Sequence, residues 1–520
     1  MLYRLPVISC IWAVLAALTL TFPQDVAARE VSITLLHTSD LHGFVFPVTD
    51  YDGNKEVGGI LRLASAIESE REGLHNVLLL DSGDTYQGGA ESLLTRGRIV
   101  NEALGWLGFD SWVLGNHEFD WGLEWLAGLL ETCPVPALGA NISSRPGTEN
   151  PLHTVKPFII RDMDGVRVAV IGLTTPAIPT WSRPHLLGNL LFSKSVETLR
   201  KVMPAVREHQ PDIMVMITHQ GYGRFGDNYA NEINAIAGHF PELDVILGGH
   251  THQVVHGADV NGVLYVQPGY HGIWLGRVDL VYDTVRRELV KRESKIIHVG
   301  DNYEKHEGLL SALEDDLERV DRILEGKVGY AKADISAKSS LPGQSPMQQL
   351  ICRAISYASE AEIVLHGILS DGNLYEGEIL ERDIWRIVPY ENTIGVMMLT
   401  PDELRDILEE NAGQLRGYRG MGVYGIKYDL YPDASEGMRV GNMLLPDGST
   451  MHPRRRYAVA MNSYVLASGG GRFPVTRRTA DQPISRLRML DIDTRDAVRN
   501  YIANNSPVIP ESYNMVTIVR

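Results

Sequence analysis

Five short apolar runs in the first half of the chain each end in a turn of small and polar residues. That repetition constrains the fold more than any other feature. Val31–Leu36 runs into His37-Thr38-Ser39-Asp40-Leu41-His42-Gly43, and Val77–Leu80 into Asp81-Ser82-Gly83-Asp84. Trp112–Leu114 ends at Gly115-Asn116-His117-Glu118-Phe119-Asp120. Ile213–Ile217 ends at Thr218-His219-Gln220-Gly221, and Val245–Leu247 at Gly248-Gly249-His250-Thr251-His252. Further β-branched runs, Val166–Ile171 and Val263–Val266, alternate with amphipathic stretches such as Gly59–Ser69 and Ser195–His209. This alternation predicts an α/β domain whose strands are covered by helices. Ligands of such sheets collect beyond the carboxyl ends of the strands. The five ends would pool Asp40, His42, Asp84, Asn116, His219, His250 and His252.

Carboxylates and neutral imidazoles together suit divalent zinc, manganese, cobalt or a similar ion. Seven donors exceed what one tetrahedral ion takes. They suit two ions about 3.5–4 Å apart that share a carboxylate. Asp84 stands alone at its strand end and is the natural bridge. Taken singly, a lone histidine is more often a structural group and a lone asparagine a turn residue; it is the recurrence at successive strand ends that points to metal. His117 follows Asn116, so it can face the same pocket without binding an ion. Asp120, three residues on, can hold and charge its ring.

The chain has 520 residues, 44% of them apolar and 22% charged, which suits a globular protein of two to four domains. A formal net charge of −17 argues against general affinity for a nucleic-acid polymer. Three cysteines (Cys10, Cys133 and Cys352) are too few for a disulfide scaffold, and the last two could pair only if the fold brings them together. Residues 1–28 read as a secretory signal: Arg4, an apolar run from Leu5 to Leu20, then Val26-Ala27-Ala28. A membrane anchor is the alternative. No second run of that kind follows, so the mature protein is expected in the periplasm or outside the cell, without stable membrane insertion. Residues 301–326 read as one charged linker helix between a domain at 29–300 and a second α/β or α+β domain at 327–520.

The motifs at the strand ends, in this order, resemble those of the calcineurin-like metallophosphoesterases. Within that family they are most similar to the secreted 5′-nucleotidase / UDP-sugar hydrolase / 2′,3′-cyclic phosphodiesterase group. The resemblance covers residues 31 to about 270 and implies a four-layer α/β/β/α domain, a helix, and a mobile carboxyl-terminal substrate domain. It implies that Asp40, His42, Asp84 and His252 hold one metal, and Asp84, Asn116, His219 and His250 the other. It also implies that His117, paired with Asp120, stabilises the transition state or acts as acid. The expected reaction is hydroxide attack on phosphorus, with two dications acidifying the water and clamping the phosphoryl oxygens.

The second domain resembles the family over about 340–475 but departs from it in places. Where relatives carry an Asn-Gly-Gly-Ile-Arg type loop, this chain has His366-Gly367-Ile368-Leu369-Ser370-Asp371, without arginine. Pro389-Tyr390-Glu391-Asn392 does match, which makes Asn392 a candidate substrate contact. The two aromatic residues expected to sandwich a base are displaced. Tyr424 and Tyr464 lie nearby and could substitute, and Arg472 could replace the cation; equally, the tyrosines could be core and Arg472 a surface charge. The leading expectation is therefore an exported phosphoesterase acting on nucleotides or related small phosphate esters. Alternatives are the same centre acting on a cyclic nucleotide, a sugar phosphate or a thiosulfonate, or a non-catalytic periplasmic binding protein.

Overall fold

The computed structural model describes residues 30–519, apart from Arg183, Phe225, 340–343, Asp371, 415–419 and 512–513. The signal-like stretch 1–28, with Cys10, lies outside the described residues, as does Asp371 of the arginine-less loop.

The first domain is built from two six-stranded sheets packed face to face. One runs Glu288–His298, Trp274–Asp283, Glu30–Thr38, Val77–Asp81, Ser111–Val113, Ala137–Leu138; the last four strands are parallel. The other runs Val254–Val260, Val263–Pro268, Val245–Leu247, Ile213–Thr218, Val166–Leu173, Phe158–Met163, with a parallel centre and antiparallel edges. Strand side chains alternate between faces, and the cores follow that period. Ile33, Leu35, Leu78, Leu80 and Val113 of the first sheet meet Val168, Val170, Val215, Ile217, Val245 and Leu247 of the second between the sheets. Leu36, Leu79, Trp112 and Leu114 face the opposite way, onto the helices Ile60–Arg71, Arg98–Leu107 and Leu123–Thr132. Ala169, Ile171, Met216 and Ile246 turn outward onto Ser195–Glu208 and Ile233–His239. Three apolar layers therefore separate four layers of structure, α/β/β/α.

The linker is not one helix. It breaks at Leu313 into Glu307–Ala312 and Glu314–Leu324. Leu309, Leu313 and Leu317 pack on the first domain's core, so this segment packs there rather than simply spanning a gap. The second domain is centred on a mixed five-stranded sheet, Gly422–Tyr424, Ile363–His366, Tyr457–Asn462, Thr393–Leu399, Arg488–Asp493. Helices Pro346–Ser359 and Thr494–Asn505 cover it. Cys133 and Cys352 are both free thiols and belong to different cores. Among the described residues no helix is long and apolar enough to cross a membrane.

Candidate metal centre

Strand ends place the site, and unusual backbone aims it. Asp40, His42, Asp84, His250 and His252 have φ of 51°, 51°, 53°, 73° and 55°, the left-handed region that side chains beyond Cα disfavour by about 1–3 kcal/mol each. Neighbouring turns hold them there. Asp40 N donates to Gly83 O at 2.9 Å and His42 N to Asp84 O at 2.9 Å, which carries the ladder between two parallel strands past their ends. Across the cleft, the His250 amide reaches both Asp40 carboxylate oxygens at 3.1 and 3.2 Å. Gly115 is needed for contact: a Cβ there would overlap the Asp84 carboxylate.

The side chains gather into two triads, Asp40–His42–His252 and Asp84–His219–His250, each with donor atoms within 4.8 Å of one another. Asn116 joins the second, its Oδ1 being 3.2 Å from His219 Nε2. Asp84 Oδ2 lies 3.0 Å from His219 Nε2 and 4.0 Å from His42 Nε2, between the groups.

The hydrogen bonds reveal what the donors lack. His42 Nδ1 sits 2.7 Å from Gln87 O, and His219 Nδ1 2.7 Å from Ser82 O. A carbonyl only accepts, so both Nδ1 atoms carry a proton and both Nε2 atoms point inward. His42 Nε2 faces His252 Nε2 at 3.2 Å, and His219 Nε2 faces Asp84 and Asn116 oxygens. Against burial, Asp84 raises His219 to about 9, so a positive charge is already favoured where a cation would replace that proton. The donor set is oxygen and imidazole nitrogen with no thiolate, as divalent ions of the zinc–manganese range take. Burial holds His250 down at about 3 and His42 at about 4, so both remain neutral ligands.

His117 stands apart from the triads, its ring 5.4 Å from that of His42. Its Nδ1 pairs with Asp120 Oδ2 at 2.6 Å, and its backbone amide donates to Asp84 Oδ1 at 2.8 Å. Burial opposes charge on this ring, but Asp120 and Asp84 raise it to about 10.

Two family models match in tandem. The calcineurin-like phosphoesterase model covers residues 33–254, and the 5′-nucleotidase C-terminal domain model covers residues 327–478. The chain therefore carries a calcineurin-like phosphoesterase domain followed by a 5′-nucleotidase C-terminal domain. It is 24% identical to the trifunctional nucleotide phosphoesterase of Bacillus subtilis, over 94% of this chain and 39% of that protein. The chain thus spans about two-fifths of that relative's length. It is 26% identical to the 2′,3′-cyclic-nucleotide 2′-phosphodiesterase/3′-nucleotidase of Salmonella typhimurium, over 87% of this chain and 83% of that one. The 5′-nucleotidase precursor of Thermus thermophilus has the same fold, with a TM-score of 0.70 at 23% identity, covering 94% of this chain and 99% of its own.

Some groups in this site escaped the sequence reading. Glu118 is buried beneath Asp84 and accepts from the backbone amides of Asp84 (3.1 Å), Thr85 (2.7 Å) and Gly115 (2.6 Å). It clamps two ligand-bearing turns together, and burial beside Asp84 pushes its carboxyl up to about 7. No local sequence pattern marks this residue, which sits in the polar run Asn116-His117-Glu118-Phe119-Asp120. Aromatic rings also rim the site: Tyr51 and Tyr270 beside His252, and Trp181 with its ring 5.1 Å from His250.

The four second-domain candidates do not form one group. Arg472 donates to the Tyr464 hydroxyl at 2.8 Å, and Tyr390 lies near Tyr464. Asn392 uses its backbone carbonyl to receive Thr494 N and Oγ1 at 2.9 and 3.1 Å. Tyr424 pairs with Val364 across the sheet and packs on the core near Tyr501, so it has neighbours different from those of Tyr464.

Proposed function

We propose that the chain is an exported phosphoesterase with a dinuclear divalent centre that hydrolyses nucleotides or closely related small phosphate esters. Asp40, His42, Asp84 and His252 hold one ion, and Asp84, Asn116, His219 and His250 the other. When bound, the ions supply Lewis acidity toward phosphoryl oxygens and acidify water at neutral pH. The observation that carries the reading is the position of Asp84 Oδ2, within 3.0 Å of one triad's histidine and 4.0 Å of the other's. His117 is an imidazolium at neutral pH because Asp120 and Asp84 stabilise its charge against burial. Its Nδ1 is committed to Asp120, which leaves Nε2–H to meet the phosphoryl or leaving oxygen as that oxygen gains charge.

A second reading, hydrolysis of a 2′,3′-cyclic nucleotide by the same centre, is favoured by the loop at His366–Ser370. That loop offers no arginine to a dianionic monoester, and the Salmonella typhimurium relative is named for the cyclic activity. The test is a matched-metal panel of a nucleoside 5′-monophosphate, a 3′-monophosphate, a 2′,3′-cyclic monophosphate and glycerol phosphate. Phosphate release from the 5′-nucleotide supports the first reading, and ring opening alone supports the second. Inertness toward every ester with two equivalents of metal bound removes both. Export is tested by amino-terminal sequencing of the mature protein from culture fractions.

A further inference from the structure

His42 and His219 are oriented by backbone carbonyls within their own domain, whereas His252 depends on a side chain. Its Nδ1 lies 3.1 Å from the Tyr51 hydroxyl. Its Nε2 is aimed at Asp40 Oδ1 (3.4 Å) and His42 Nε2 (3.2 Å). The His252 side chain is 27% exposed while that of Asp40 is fully buried, so packing alone restrains it least.

Tyr51 stands at the tip of a small hairpin closed by mutual Val48–Val57 backbone bonds of 2.8 and 3.1 Å. The Asp50 carboxylate stiffens the tip, accepting from the amides of Asp52 and Asn54 at 2.9 and 2.8 Å. The Tyr51 ring stacks on Tyr270 at 4.3 Å, and its amide donates to the Tyr270 hydroxyl at 3.1 Å. A tyrosine 59% exposed at a hairpin tip would ordinarily give its hydroxyl to water. Here the hydroxyl faces His252 Nδ1 instead.

We propose that Tyr51 is a positioning residue that sets the aim of His252. The Asp40–His42–His252 triad then depends on the Tyr51 hydroxyl, whereas the Asp84–His219–His250 triad does not. The inference rests on the two-metal reading above. Hydrogen-bond partners behind a ligand histidine commonly change metal affinity by about 10–100-fold, so the effect is measurable.

The test titrates metal-stripped full-length protein with Mn²⁺, following binding by calorimetry and by the electron paramagnetic resonance of free Mn²⁺. Tyr51→Phe keeps the ring stacked on Tyr270 and removes only the hydroxyl. It is expected to weaken one of the two ions by about tenfold or more and leave the other unchanged. Unchanged affinities or equal weakening of both ions would each overturn the proposal. If the unaltered protein binds no Mn²⁺, the two-metal reading itself falls, and this inference with it; two ions bound with no effect of Tyr51→Phe removes the inference alone.

Discussion

Asp84 and His117 sit side by side, linked by the His117 amide on Asp84 Oδ1 at 2.8 Å, yet the proposal gives them separable roles. Asp84→Ala removes an oxygen from between both triads and is expected to abolish binding of both ions and all turnover. His117→Ala leaves every donor in place; it should retain two ions, by elemental analysis after dialysis, and slow turnover by roughly 10²–10⁴-fold. Equal metal loss in the two variants would contradict the role assigned to His117. At this scale the candidate ligands were legible because histidine and aspartate recur at the ends of successive apolar strands. The sequence was poorly legible for Glu118. That carboxylate draws its backbone donors from a turn more than 30 positions away as well as from its own, and no local pattern announces such convergence. Tyr51 was hidden for the same reason, since its partners lie about 200 positions on.

Among the elements, the buried parallel strands were readable as β-branched runs because both their faces are covered. Trp274–Asp283 and Glu288–His298 were not. The second of these is an edge strand carrying Glu288, Lys291, Arg292, Glu293 and Lys295, so charge that guards an exposed edge masks the apolar signal. The break at Leu313 was equally invisible, because the apolar period of Leu309, Leu313 and Leu317 runs straight through it. The turns that end the strands carry the sharpest element-scale prediction. A Cβ at Gly115 overlaps the Asp84 carboxylate and comes within 2.5 Å of the Asp84 amide nitrogen. Gly115→Ala should therefore push the two turns apart. Secondary structure by circular dichroism should be retained while bound metal falls below one ion per chain. Retention of both ions would show that the turn yields without moving Asp84.

At the scale of the whole molecule, the two domains meet through groups whose charge is sensitive to pH. Trp121, next to Asp120 in the first domain, donates from Nε1 to Glu391 Oε2 at 3.1 Å, and Arg495 Nη1 lies 3.8 Å from Glu391 Oε1. Burial pushes the Glu391 carboxyl from 4.5 up to about 7, although Arg495 and Trp121 favour its charge; Asp493 and Asp120 push in the same direction as burial. The unfolded chain releases this proton near 4.5 while the folded chain keeps it to about 7. Across that window the native state binds more protons than the unfolded state, so this residue's contribution to stability falls as pH rises and levels off above about 7. Glu391→Gln fixes the neutral form and removes the dependence. Its stability relative to the unaltered protein should climb between pH 5 and 7 by an amount on the order of 3 kcal/mol, then stay constant to pH 8. Denaturation of both proteins at each pH measures the difference. A difference that does not change with pH would mean that Glu391 is already ionised in the folded protein, and that Arg495 rather than burial sets the charge at the domain contact.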